Sequence, residues 1–432
     1  MKILSFKKNN FILLKNTYNN ERKIGYSIYN NVKLIGRNSY YPNVLIYSDN
    51  EIISPYDEKI MSLNKQSFYD NNEYDISSEK KILYKEEISF PVFFFIYNFD
   101  NYYHFVYDTI SYLYTYLYLK NTIPTLKLLV NYPNPYKNEF YKFNIEILNK
   151  LVNENDIILH KDGNIYNSIY ISSSLTHGEF SNNPPCKEYY SIINKLIKNS
   201  CNIIKINKDN DKDKVNEYDY IYISRRTWIN NDISNIGTNY TTRRKMINED
   251  ELVEELNKIG FKEIFTENLS TDEKINIFYN SKMIVGSIGG GMSNLLFSKP
   301  ETKSFVIVTP YFLDINNRFR FTLENTNITY INDVKTYTES NSIPLYCRCK
   351  ILSNNTNKNK IGEIVNWRFT NNKEEYLINI SNNDIVGFNN EIIFKQEWFF
   401  SDELELIDKG LNSPYIVNIN KTIDLIKYTK LN

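Results

Sequence analysis

Glycine, proline, histidine and cysteine are all scarce in this 432-residue chain, at 13, 12, 3 and 4 residues. An average soluble protein carries about 7% glycine, more than twice the share found here. Four cysteines (Cys186, Cys201, Cys347 and Cys349) in a chain this long do not make a disulfide framework, so they read as reduced thiols of a cytosolic protein. Net charge is missing too, because Lys plus Arg and Asp plus Glu stand at 51 each. No bulk field therefore draws the chain to nucleic acid or to an anionic membrane, which leaves a small ligand recognised locally. No apolar run reaches the roughly 18 residues of a membrane span. The best candidate, SFPVFFFIYNF at Ser89 to Phe99, reads as a buried strand. The N-terminus breaks its apolar residues with lysine and asparagine every few positions and lacks the apolar stretch of a signal peptide.

Metal-ligating patterns are equally thin. Asp209, Asp211 and Asp213 alternate as in a calcium loop, but Lys214 stands where that loop needs glycine and Tyr220 where it needs glutamate. Cys347 and Cys349 have no second Cys or His pair at zinc spacing. His160 and His177 stand alone. No metal site is expected, and no cofactor.

At roughly 150 residues per domain the length points to two or three domains. The clearest architecture lies between Tyr218 and Pro310, where strand and helix patterns alternate. YDYIYIS (218–224) reads as a strand by its β-branched and aromatic content. NEDELVEELNKIGF (248–261) has Asn248 at the N-cap position, Leu252, Val253 and Leu256 on one face, and a stop at Gly260. KEIFTE is a short strand, and Ser270 to Glu273 forms a capping box for the next helix. MIVGSI (283–288) and SFVIVTP (304–310) are aliphatic strands on either side of a short helix around MSNLLFS. This is the pattern of a Rossmann-like α/β domain over 206–335. Residues 1–205 read as a first α/β domain, and the charged stretch 205–217 as a linker. Residues 336–432 read as a small β-rich module followed by a helix that packs back on the body.

Candidate chemistry clusters in three places. Four of the scarce glycines (Gly286, Gly289, Gly290, Gly291) fall within six positions at the carboxyl end of a strand, followed by Ser293 and Asn294. Such a turn cradles phosphate on exposed backbone N–H groups, and it equally serves close helix–strand packing. It is neither a dinucleotide fingerprint nor a P-loop. Arg225 and Arg226 end the strand at 218–224, and Arg243, Arg244 and Lys245 precede the next helix. Guanidinium forks suit phosphate oxygens. His104 and Asp108 stand four apart on an aromatic helix (102–120) capped by Asp100 or Asn101, a spacing that lets a carboxylate orient an imidazole as general base. A self-satisfied structural pair accounts for them equally well.

Taken in order, the arginine strand end, RKMINEDEL, LSTDEKINIFYNSKMIVGSIGGGMSNLLFSKP and the upstream NYYHFVYDTI resemble glycosyltransferase family 61. The resemblance implies a GT-B fold, two facing Rossmann-like domains with acceptor on the N-terminal side and nucleotide sugar on the C-terminal one. It implies inverting, metal-independent transfer from a UDP-sugar, carrying N-acetylglucosamine or a pentose, to a hydroxyl of a glycan or protein. It also implies His104 and Asp108 as catalytic residues, with Arg225, Arg226, Arg244, Asn248, Gly289, Gly290, Gly291, Ser293 and Asn294 at the donor. The family usually places His-Gly-Ala-Gly at the turn, where this chain has Ile288 before three glycines. A viral or microbial relative acting in the cytoplasm is the expected setting. A nucleotide-sugar- or glycan-binding protein without catalysis is the rival from another class, and a metal-dependent transferase is a second.

Overall fold

The structure, a computed structural model, describes residues 12–16, 23–35, 45–48, 51–53, 86–96, 101–132, 139–161, 163–173, 187–201, 217–226, 245–309, 327–336, 348–353, 355–371, 373–380, 395–407 and 413–431. These fall into two compact units, one holding the described residues up to 201 and the other those from 217 onward. Arg243, Arg244, His177, Cys186, Cys347 and all but the last residue of the expected linker at 205–217 lie outside the described residues.

The first unit is built on a six-stranded mixed sheet. In chain order its strands are β1 (Ile12–Asn16), β2 (Lys23–Tyr29), β3 (Val92–Phe94), β4 (Lys127–Val130), β5 (Ile157–Leu159) and β6 (Ile169–Ser172). Across the sheet the order is β1-β2-β6-β3-β4-β5, with β6, β3, β4 and β5 parallel and β1 and β2 antiparallel. Strand β3 is apolar throughout and fully buried, as a central parallel strand covered on both faces must be. The order reverses between β3, the first parallel strand, and β6, the last. Over that reversal lies the aromatic helical segment 102–122. It is not one regular helix: a single α-turn (Tyr102–His104) passes into a π-turn (Phe105–Thr109), then a 3₁₀ turn (Ile110–Tyr112), then α1 (Leu113–Thr122). Asn101 caps it, accepting from the His104 N–H at 3.3 Å. The Tyr116 ring packs on Phe93 of β3, and Thr115 shares a buried hydrogen bond with Ser172 at the end of β6. The segment is therefore fastened to both strands that flank the reversal.

The second unit holds a five-stranded, all-parallel sheet: β7 (Tyr220–Ile223), β8 (Lys262–Ile264), β9 (Met283–Ser287), β10 (Lys303–Ile307) and β11 (Ile328–Ile331). The order is β8-β7-β9-β10-β11, a doubly wound sheet whose direction of progression switches between β7 and β9. Helix α2 (Glu249–Lys258) buries Leu252, Val253 and Leu256 against it, and α3 (Thr271–Asn280) starts on the Ser270–Glu273 capping box with both reciprocal bonds made. The helix after the glycines is a seven-residue 3₁₀ helix, Gly291–Phe297.

Beyond the sheet, β12 (Val334–Thr336) pairs antiparallel with the last strand of the chain, Tyr415–Val417. Between them, β13 (Arg348–Ile351), β14 (Ile361–Thr370), β15 (Lys373–Ile380), β16 (Lys395–Phe400) and β17 (Leu404–Leu406) form a separate antiparallel sheet. That sheet closes its own core around Cys349, Ile364, Tyr376, Ile378 and Phe399. The final strand, β18 (Tyr415–Val417), and α4 (Ile419–Leu431) belong elsewhere. Tyr415, Val417, Ile423 and Ile426 join the core of the parallel sheet with Leu252, Val285 and Phe305. The C-terminal segment is thus part of the Rossmann-like body, and the β-rich module is confined to the residues before it.

Candidate active site

In the first unit, the segment that follows β3 carries His104 and Asp108 at the carboxyl end of the sheet, beside the reversal in strand order. Their side chains meet, His104 Nδ1 to Asp108 Oδ2 at 2.5 Å, with the imidazole 22% exposed and the carboxylate 1%. An ionised carboxylate only accepts, so Nδ1 carries the proton and the basic lone pair sits on Nε2. Asp108 and Thr109 fall within the π-turn, and π-turns occur mostly as single insertions, frequently at functional sites. Tyr103 stands edge-on to the imidazole at 5.3 Å and stacks on Tyr107 at 5.0 Å, which fixes the ring laterally. His160, after β5, is engaged as well, with Nδ1 2.6 Å from the hydroxyl of the fully buried Tyr166.

In the second unit, the switch point between β7 and β9 is where an open parallel sheet leaves a crevice at its carboxyl edge. Ile223 pairs with Gly286, so two residues further on Arg225 stands opposite Ile288. Arg225 Nη1 donates to the Ile288 carbonyl at 2.8 Å, drawing the guanidinium across the glycine corner. The glycines differ in what they permit. A Cβ on Gly289 would lie 2.7 Å from Arg225 Nη1; on Gly286, 2.6 Å from Met292 Sδ; on Gly291, 2.7 Å from Ile223 Cγ2. A Cβ on Gly290 would meet nothing within 4 Å. The family's alanine thus has room here, while its histidine position holds Ile288, whose side chain is buried at 6% exposure.

The other proposed donor contacts are turned to holding the corner. Ser293 Oγ donates to the Gly290 carbonyl and Asn294 Nδ2 to that of Gly291 at 2.8 Å, both side chains being fully buried. Asn248 uses its amide to bind the backbone of Val417 in both directions, at 2.9 and 3.1 Å. Arg226 is grasped by Glu263, with Nε at 2.9 Å and Nη2 at 2.5 Å, and by Asp250 at 2.6 Å. Burial opposes its charge, but the bonds to Glu263 and Asp250 raise its pKa above the ordinary value. A guanidinium so neutralised has less to offer a phosphate.

Sequence reasoning passed over two residues of this cluster. Glu249 opens α2 and is 1% exposed, its Oε1 accepting from the Tyr222 hydroxyl and the Arg225 backbone N–H, each at 2.8 Å. Burial raises its pKa, against the opposing effect of those two bonds and of the Arg225 and Arg226 charges. Tyr415, from the far C-terminus, donates to Ser287 Oγ at 2.6 Å, two residues before Gly289. Among the described residues no three His, Cys, Asp or Glu side chains group as metal ligands, and no helix is long and apolar enough to cross a membrane.

Residues 102–305 match the family model Glycosyltransferase 61. Over this segment the chain is similar to glycosyltransferase family 61. The family 61 segment opens two residues before His104 and closes in β10, so it takes in both the His104–Asp108 pair and the Arg225–glycine corner. The match supports glycosyl transfer as the activity class, which implies a sugar donor and an acceptor. No curated protein matches the chain.

Proposed function

We propose that this chain is an inverting, metal-independent transferase that moves N-acetylglucosamine or a pentose from a UDP-sugar to a hydroxyl of a glycan or protein. The observation that carries the reading is the meeting of the Arg225 guanidinium with the glycine corner at the switch point of the parallel sheet. In this reading the two units are the acceptor and donor halves of a GT-B enzyme. His104 Nε2, oriented by Asp108, takes the proton of the acceptor hydroxyl as that oxygen bonds to the anomeric carbon. The bond from that carbon to the β-phosphate oxygen breaks on the opposite face, and UDP departs with the electron pair. A single displacement inverts the anomeric centre.

The charge growing on the diphosphate is met by Arg225 and by backbone N–H groups of Gly289 to Gly291, with Arg226 and Arg244 as further basic groups. A fixed donor in a water-poor site is worth about 3 kcal/mol of barrier. Asn248, Ser293 and Asn294 serve the donor by keeping the corner in shape. The test is UDP release by the purified chain from a panel of UDP-sugars, with and without acceptors and with a chelator. Acceptor-dependent release that survives the chelator is expected. UDP binding with no release from any donor would make the chain a binding protein, and loss of release with chelator would make it a metal-dependent transferase.

A further inference from the structure

The mechanism above leaves the buried Glu249 carboxylate unused. Its Oε1 takes two hydrogen bonds, and its Oε2 is buried with no hydrogen-bond partner among the described residues. Keeping a desolvated, half-satisfied carboxylate inside an α/β body is costly, and an apolar or amide side chain of similar size would pack there at less expense. What the carboxylate does hold is specific. One bond goes to Tyr222, within β7, and the other to the main-chain N–H of Arg225, the first peptide whose side chain reaches the glycine corner.

The guanidinium is then fixed at its other end by the Ile288 carbonyl, and only a glycine at 289 leaves room for Nη1. Arg226, next in sequence, is taken up by Glu263 and Asp250. The acidic groups around this strand exit therefore treat the two arginines differently. Glu249 anchors the backbone of Arg225, whose guanidinium bonds the Ile288 carbonyl at the corner, whereas Glu263 and Asp250 bind the guanidinium of Arg226 itself. A charge-assisted acceptor is roughly twice as strong as a neutral one, which suits an anchor that must not slip.

We propose that Glu249 is a positioning residue of the donor site, fixing the exit peptide of β7 so that the Arg225 guanidinium lies across the glycine corner and receives the diphosphate of the nucleotide sugar. The inference rests on the donor-site reading given under Proposed function. It identifies Arg225, rather than Arg226, as the arginine on which diphosphate affinity turns.

The test is calorimetric binding of UDP, with GDP as comparison, to the full chain and to the variants Arg225→Ala, Glu249→Gln, Tyr222→Phe and the Arg225→Ala/Glu249→Gln double variant, each with its Tm. Arg225→Ala and Glu249→Gln are each expected to weaken UDP tenfold or more, with the Tm of the Gln variant held. The double variant should bind no more weakly than Arg225→Ala alone, since Glu249 acts through that guanidinium. Tyr222→Phe, which removes the other bond to the same oxygen, should keep its affinity. A Gln variant with lowered Tm and full UDP affinity overturns the proposal, as do additive losses in the double variant or an equal loss in Tyr222→Phe. If Glu249→Gln does not fold, Glu249→Asp, which keeps the charge and draws it back by one methylene, must show the same weakening at unchanged Tm. Should Arg225→Ala itself bind UDP normally, the donor-site reading fails first and takes this inference with it.

Discussion

A histidine whose Nδ1 is bound by a buried carboxylate has its tautomer and its direction decided before any substrate arrives. Losing a positioned general base costs about 10²- to 10⁴-fold in rate. His104→Ala is therefore expected to lower acceptor-dependent UDP release by that range while leaving UDP binding intact; the pairing of a rate assay with calorimetry separates the two effects. Asp108→Asn should lower turnover as well, because an amide can present its N–H to the imidazole and reverse the tautomer. Glu249 gives a different kind of residue-scale expectation. Its pKa in the folded chain is raised above the ordinary 4.5, burial being the main cause. The folded state thus holds that proton more tightly than the unfolded one, so the stabilisation is present below 4.5 and disappears as pH rises through the folded value. Wild-type protein should lose Tm relative to Glu249→Gln as pH climbs from 4.5 toward neutrality. Glu267 is raised by burial too, and the Glu249 charge adds to that rise, so its own loss of stability with pH is smaller in Glu249→Gln and widens the difference in the same sense.

At the scale of elements, three neighbouring glycines are expected to respond in three ways. Gly291→Ala drives a methyl to 2.7 Å from Ile223 Cγ2 and 3.0 Å from Thr266 Oγ1, so it should cost about 1–3 kcal/mol and lower Tm. Gly290 has an ordinary helical φ of −55° and open space, so Gly290→Ala should be neutral or stabilising by about 0.4–1 kcal/mol. Gly289→Ala meets the mobile end of a long side chain; it should spare Tm and weaken UDP by displacing the Arg225 guanidinium. Thermal melts and UDP titrations of the three variants check the order. Much of this corner is legible in the sequence, because it depends on local signals: a glycine cluster after an aliphatic strand, a Ser–Glu capping box, a 3.6-residue stripe on α2. The parts that were not legible depend on long-range closure. Nothing near Glu249 reveals that its carboxylate turns inward to the backbone of a residue 24 positions earlier. The sequence does not show that Ser293 and Asn294 also bond the turn's own carbonyls. The π-turn leaves no mark in a segment that is apolar nearly all round.

On the whole-molecule scale, β12 and β18 are the two arms of a β-hairpin whose tip has been opened. Thr336 lies directly opposite Tyr415, and everything from 337 to 414 leaves and returns at that one point. Between them sits a sheet whose core shares no residue with the core of the parallel sheet. The returning strand is tightly held: the Tyr415 N–H donates to the Lys245 carbonyl, the Ile247 N–H to the Tyr415 carbonyl, and Asn248 clasps Val417. Two deletions should then behave oppositely. Replacing 337–414 by Asn-Gly, a pair suited to the type I′ turn of a two-residue hairpin, should leave the Rossmann-like body folded with its UDP affinity unchanged. Ending the chain at residue 412 removes Tyr415, Val417, Ile423 and Ile426 from that body's core. At about 2 kcal/mol for each buried side chain, this loss is comparable with the whole stability of a domain, about 5–15 kcal/mol. The shorter deletion should therefore abolish cooperative melting and UDP binding while the longer one preserves both. A hairpin-closed variant that unfolds would place structural duty on the β-rich module, and an active chain ending at 412 would remove it from the C-terminal segment.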